Sequence, residues 1–103
     1  MPYIPKCQRK ALDPHINNLV AEILMDSPGV NDFAGPLNYV CTSLALRIVR
    51  RKFGPVRYWI IAMLCGVFGN VAAELYRRVG VPYEDKQIEM SGDLAEFEEK
   101  KYG

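Results

Sequence analysis

The chain has 103 residues, 50% of them hydrophobic and 24% charged, and thirteen lysines and arginines nearly balance twelve acids to leave a net charge of +1. That length sets one domain as the default, and that apolar content excludes disorder along the whole chain. Cys7, Cys41 and Cys65 are spaced too irregularly for a CxxC site or a disulfide scaffold, and near-neutrality argues against a general nucleic-acid coat protein.

The first residues, Met1-Pro2-Tyr3-Ile4-Pro5-Lys6, lack the charged and apolar regions of a signal peptide. Pro2 and Pro5 disfavour a helix, so residues 1–12 read as an extended N-terminal arm, basic through Lys6, Arg9 and Lys10. Asp13-Pro14 then reads as an N-cap and first helical position. Ile16, Leu19, Val20, Ile23 and Leu24 follow as one amphipathic stripe that stops at the Asp26-Ser27-Pro28-Gly29 turn.

Gly35-Pro36 opens a second helix with the stripe Leu37, Val40, Cys41, Leu44 and Ile48. Arg47, Arg50, Arg51 and Lys52 crowd its last turns, where cations favour the negative end of the helix dipole. Gly54 reads as its stop and Pro55 as the next start.

The third helix is expected from Pro55 to about Val79, ended by Gly80 and Pro82. At about 1.5 Å per residue it spans close to 37 Å. It is apolar nearly all round, and Tyr58–Ala73 holds no charge. A membrane span needs about 20 predominantly apolar residues. This run is shorter and contains Gly66, Gly69 and Asn70, so it reads as a buried helix of a soluble bundle rather than a span. A helix apolar on every side needs cover on more than one side. The expectation is therefore a homo-oligomer whose interface uses this helix, with no membrane. Ala62 and Gly66 would permit close helix approach.

Residues 84–101 hold seven acids and three lysines, and Asp93 with Glu96 resembles a capping box for a short helix over 94–101. The front of the chain is basic and this tail acidic, so the two can neutralise each other within or between subunits. The expected fold class is all-α. It is a three-helix bundle forming one domain, with an arm (1–12), a helical core (13–83) and an acidic tail (84–103) that wraps a neighbour.

The tight Gly54-Pro55 turn suggests that helices two and three pack as an antiparallel hairpin. Asn38 would then face Asn70, Thr42 would face Gly66, and Cys41 and Cys65 would meet as two buried thiols. Asn38, Tyr39 and Thr42 would lie level with Asn70, Glu74 and Arg78. Two readings of this polar end stay open. One is a satisfied network, with Glu74 paired to Arg78 in the favourable i, i+4 order. The other is a ligand pocket.

Arg47, Arg50, Arg51 and Lys52, with Arg57 across the turn, form the strongest basic feature. It reads as a solvated helix end, as a dock for a neighbour's acidic tail, or as a patch for a nucleotide or nucleic-acid phosphate. Catalytic and metal motifs are absent: His15 is the one histidine, and no H-E-x-x-H, P-loop or G-x-S-x-G occurs. No enzyme, cofactor or metal is expected, and the irregular thiols suit a reducing cytoplasm.

Gly35-Pro36-Leu37-Asn38-Tyr39-Val40-Cys41-Thr42, Glu74-Leu75-Tyr76-Arg77-Arg78, Pro82-Tyr83-Glu84-Asp85-Lys86 and Gly92-Asp93 stand along the chain. Together with Met1-Pro2-Tyr3-Ile4, these stretches resemble a family of small uncharacterised proteins encoded by bacteriophages and bacteria. Its members look like G-x-L-N-Y-x-x-T, then E-x-Y-R-R, then P-Y-E-D-x-K, often ending soon after a Gly-Asp. This sequence departs by continuing ten residues past Asp93. The resemblance transfers no activity.

Three functional expectations result. The first is a non-enzymatic oligomeric binding protein of phage origin that sequesters a small anionic ligand such as a nucleotide, countering a host or defence component. Its contacts would come from Asn38, Tyr39, Thr42, Asn70, Glu74, Arg77, Arg78 and Tyr83, since tyrosine stacking and bidentate arginine suit bases and phosphates. The second is an interaction module for a host protein. The third is a nucleic-acid accessory factor using Arg47, Arg50, Arg51, Lys52 and Arg57.

Overall fold

The computed structural model describes residues 1–98. Among them the chain is all-α, without a strand: α1 (Lys6–Met25), α2 (Ala34–Phe53), α3 (Tyr58–Leu75), a π-helical turn (Tyr76–Gly80), α4 (Val81–Ser91) and the short α5 (Ala95–Glu98). The chain divides into two compact units, Pro2–Gly66 and a second from Val67 onward that includes Met1.

In the first unit, α1 begins at Lys6, so the extended arm is five residues long rather than twelve. The amides of Gln8 and Arg9 donate to the Pro5 carbonyl, and the Arg9 side chain donates to the Ile4 carbonyl at 2.7 Å. Pro14 lies inside the helix instead of opening it. Its missing N–H removes one bond, to the Lys10 carbonyl. The run Lys6–Leu12 is rich in good helix formers, which favour carrying the helix through. After α1, the Gly29 amide donates to Asp32 at 2.9 Å, closing the turn toward α2.

α2 ends as its sequence implies. Gly54 sits at φ +84° and ψ −124°, and its amide donates to the Arg50 carbonyl at 3.1 Å. The amides of Ile60 and Ile61 return to the Arg57 carbonyl and start α3. At this elbow Phe53 meets Trp59 edge to face, with ring centroids 5.2 Å apart. Val49 (2% exposed) and Ile60 (1%) are the only buried hydrophobic side chains among the described residues.

The fully buried side chains of this unit lie at the elbow, and α2 makes no extended contact with residues 58–66, the part of the expected hairpin that falls in this unit. The stripes of α1 (Ile16, Leu19, Val20, Leu24) and α2 (Leu37, Leu44, Ile48) are exposed. Cys65 is exposed and Cys41 half-buried, which corrects the expected pair of buried thiols.

In the second unit, the helix does not stop at Gly80 and Pro82. The chain widens into the π turn, where the Val81 amide donates to the Tyr76 carbonyl, and then continues as α4. A proline in an α-helix clashes with the carbonyl four residues back, here Arg78. Widening to i→i+5 pairing accommodates it. α4 ends at Gly92, whose φ is +84°. The acidic stretch is thus helical from its start at Glu84 to Ser91, not a trailing tail. α5 covers Ala95–Glu98 of the expected 94–101 helix. The Asp93 carboxylate accepts from the neighbouring Leu94 amide at 2.7 Å, and residues 99–101 lie outside the described residues.

The π turn also constrains Gly80. A Cβ there would lie 2.5 Å from Cδ2 of Tyr76 and 2.8 Å from Cε2. A helical glycine ordinarily gains about 1 kcal/mol on replacement by alanine. Gly80→Ala is expected to forfeit that gain and lower the melting temperature, and adding Tyr76→Ala should restore it. Thermal melts of the two variants measure this.

Candidate functional site

The expected polar site divides between the units. Asn38, Tyr39 and Thr42 belong to the first, while Asn70, Glu74, Arg77, Arg78 and Tyr83 belong to the second. On α2, the Thr42 hydroxyl donates back to the Asn38 carbonyl at 2.8 Å and lies 3.4 Å from its side-chain oxygen. This is the usual habit of a helical threonine bonding four residues back.

In the second unit, Glu74 pairs with Arg77 rather than Arg78. The guanidinium donates through two nitrogens, at 2.5 and 3.3 Å, to the two carboxylate oxygens. The i, i+3 spacing places both on one side of the helix, as does i, i+4. Arg77 is therefore oriented by Glu74. Arg78, Tyr76 and Tyr83 are exposed on and just after the π turn, and Asn70 is exposed on α3.

The basic residues Arg47, Arg50, Arg51, Lys52 and Arg57 are all exposed around the α2–α3 elbow. The Lys52 ammonium lies 5.8 Å from the Phe53 ring centroid. None of the five has an ion-pair partner among the described residues.

An open groove of about 350 Å³ lies between α1 and α2, floored by Leu19, Ile23 and Val40 and flanked by Glu22, Asp26 and Tyr39. Of these only Tyr39 stands out in the sequence as a site residue. The missed signal is Glu22 and Asp26, four apart beside the α1 stripe. His15 is exposed on α1, and among the described residues no cluster of three or more His, Cys, Asp or Glu is arranged to hold a metal.

The helical run Tyr58–Ser91 has the length and composition to cross a membrane, and 6% of its most apolar window is buried. So exposed, the run is not the buried bundle helix that its sequence suggests.

Exposed apolar stripes, a basic elbow and an arginine–tyrosine turn thus mark an all-α chain. The chain belongs to the family described as Domain of unknown function (DUF6899), whose model matches residues 1–94. Comparisons with curated proteins and with solved structures find no match.

Proposed function

We propose that this protein is a non-enzymatic, self-associating binding protein that sequesters a small anionic ligand, with a nucleotide as the closest chemical class. The observation that carries the reading is the π turn. It carries the exposed Tyr76 and Arg78, with the exposed Tyr83 following on α4, and an Arg77 already oriented by Glu74. Planar guanidinium groups suit phosphate, and tyrosine rings suit stacking on a base. π turns are often retained at functional sites. Asn38, Tyr39, Thr42 and Asn70 are further contacts of the proposed site, with α3 supplying the oligomer interface. In a phage-encoded member, holding such a ligand would deprive a host defence component of it.

A panel of mono-, di- and cyclic nucleotides in thermal-shift and calorimetric titrations tests this. A ligand at 100 times its Kd stabilises by about 2.7 kcal/mol, a rise of roughly 10 °C for a chain this size. Arg78→Ala and Tyr83→Ala should weaken binding about tenfold or more. No shift with any nucleotide overturns the proposal.

The uncovered stripe of α1 favours a second reading, an interaction module for a host protein. It requires one stoichiometric partner that is lost with Leu19→Asp.

A further inference from the structure

α2 and the second unit carry the same pattern with opposite charge. On α2 the exposed Leu37, Leu44 and Ile48, with half-buried Val40, form a stripe, and Arg47, Arg50, Arg51 and Lys52 surround its C-terminal end. In the second unit the exposed Val67, Val71, Leu75 and Val79 form a stripe of similar length, and Glu84, Asp85 and Glu89 surround the end that follows. Leu37 to Arg51 is 14 residues, and so is Val71 to Asp85. Each interval corresponds to about 20 Å of helix.

The charges separate the same way. Residues 2–66 hold eight bases and four acids, whereas residues 67–103 hold five bases and eight acids. Among the described residues none of the elbow cations is ion-paired, and neither are Glu84, Asp85 and Glu89.

We infer that the chain assembles by laying the second unit of one copy along α2 of another, in parallel orientation. Val71 and its stripe cover Leu37 and Leu44 at the groove end, and the α4 acids meet Arg47 and Arg51. Charge sets the direction. The reverse orientation would carry Glu84, Asp85 and Glu89 toward Glu22 and Asp26 on the groove wall, and like charges brought together there oppose docking. The apolar stripe supplies cover and the charges supply register, the usual division of labour in paired helices. Each copy carries one surface of each kind.

The pairing gives content to the self-association proposed above, and its test is run without nucleotide so that the two can fail separately. Full-length protein is followed by light scattering and sedimentation at several concentrations. Wild type is expected to be oligomeric. Arg47→Glu with Arg51→Glu, or Asp85→Lys with Glu89→Lys, should raise the dissociation constant at least about tenfold. Helicity by circular dichroism should be kept. Mixing the two doubly substituted proteins should restore assembly, because each retains the surface the other has reversed into a complement. A wild-type monomer, dispersal only in detergent, reversals that leave assembly unchanged, a mixture that stays dissociated, or loss of nucleic-acid binding in place of assembly would each overturn the inference.

Discussion

Ile60→Ala is expected to be the most destabilising single truncation in the chain. Ile60 is 1% exposed, and Val49 is the only comparably buried hydrophobic side chain among the described residues. Removing a buried isoleucine to Cβ costs about 2–5 kcal/mol through lost transfer energy and the cavity left behind. For a chain of this size that lowers the melting temperature by roughly 10–20 °C. Ile61 is adjacent and exposed. Ile61→Ala should change monomer stability by much less, and a cost as large as that of Ile60 would show that the elbow is not the core. Chemical denaturation of both variants followed by circular dichroism settles the comparison.

Gly54→Ala is the second large effect, and its cause is the backbone. At φ +84° and ψ −124° Gly54 occupies a region that L side chains rarely adopt. No atom lies within 4 Å of the position a Cβ would take, so the penalty owes nothing to crowding. Strain of this kind costs about 1–3 kcal/mol. Relief requires the elbow to open, separating Phe53 from Trp59. Trp59 is the single tryptophan, so its fluorescence reports the elbow directly. A red-shifted emission together with a lowered midpoint is expected. Unchanged emission and stability would mean that the turn tolerates a left-handed alanine.

Helix content was legible because the apolar stripes of α1 and α2 follow the 3.6-residue period, and the end of α2 was legible because Gly54 has no good conformational substitute. The prolines misled. Asp13-Pro14 carries every local sign of a helix start, yet α1 runs through it from Lys6. The good helix formers flanking Asp13–Asn18, Lys6–Leu12 before it and Ala21–Met25 after it, carry the helix through the proline. Pro82 misled in the same direction, because a helix can widen instead of ending, and nothing in the local composition distinguishes the two outcomes.

Of the candidate site, the residue types were readable but their partners were not. Glu74 can reach both Arg77 and Arg78, and the spacing rules treat the two alike. The packing of α2 against α3 was unreadable for a different reason. A stripe in a sequence says that a helix face needs cover, without saying whether cover comes from the same chain. Here Leu37, Leu44 and Ile48 remain exposed while the elbow alone closes.

The π turn has a geometric consequence for the second unit. In an unbroken α-helix a row of residues spaced by four drifts about 40° around the axis at each step. Val67, Val71 and Leu75 drift in this way, and two more steps would carry the row well away from where it began. Tyr76–Gly80 takes in an extra residue per turn and absorbs most of that drift. Val79 and Tyr83 therefore return toward the line of Val67 and Val71. The turn acts as a phase correction: it keeps one straight apolar seam along the helix and leaves Asp85 and Glu89 at its margin rather than in its path.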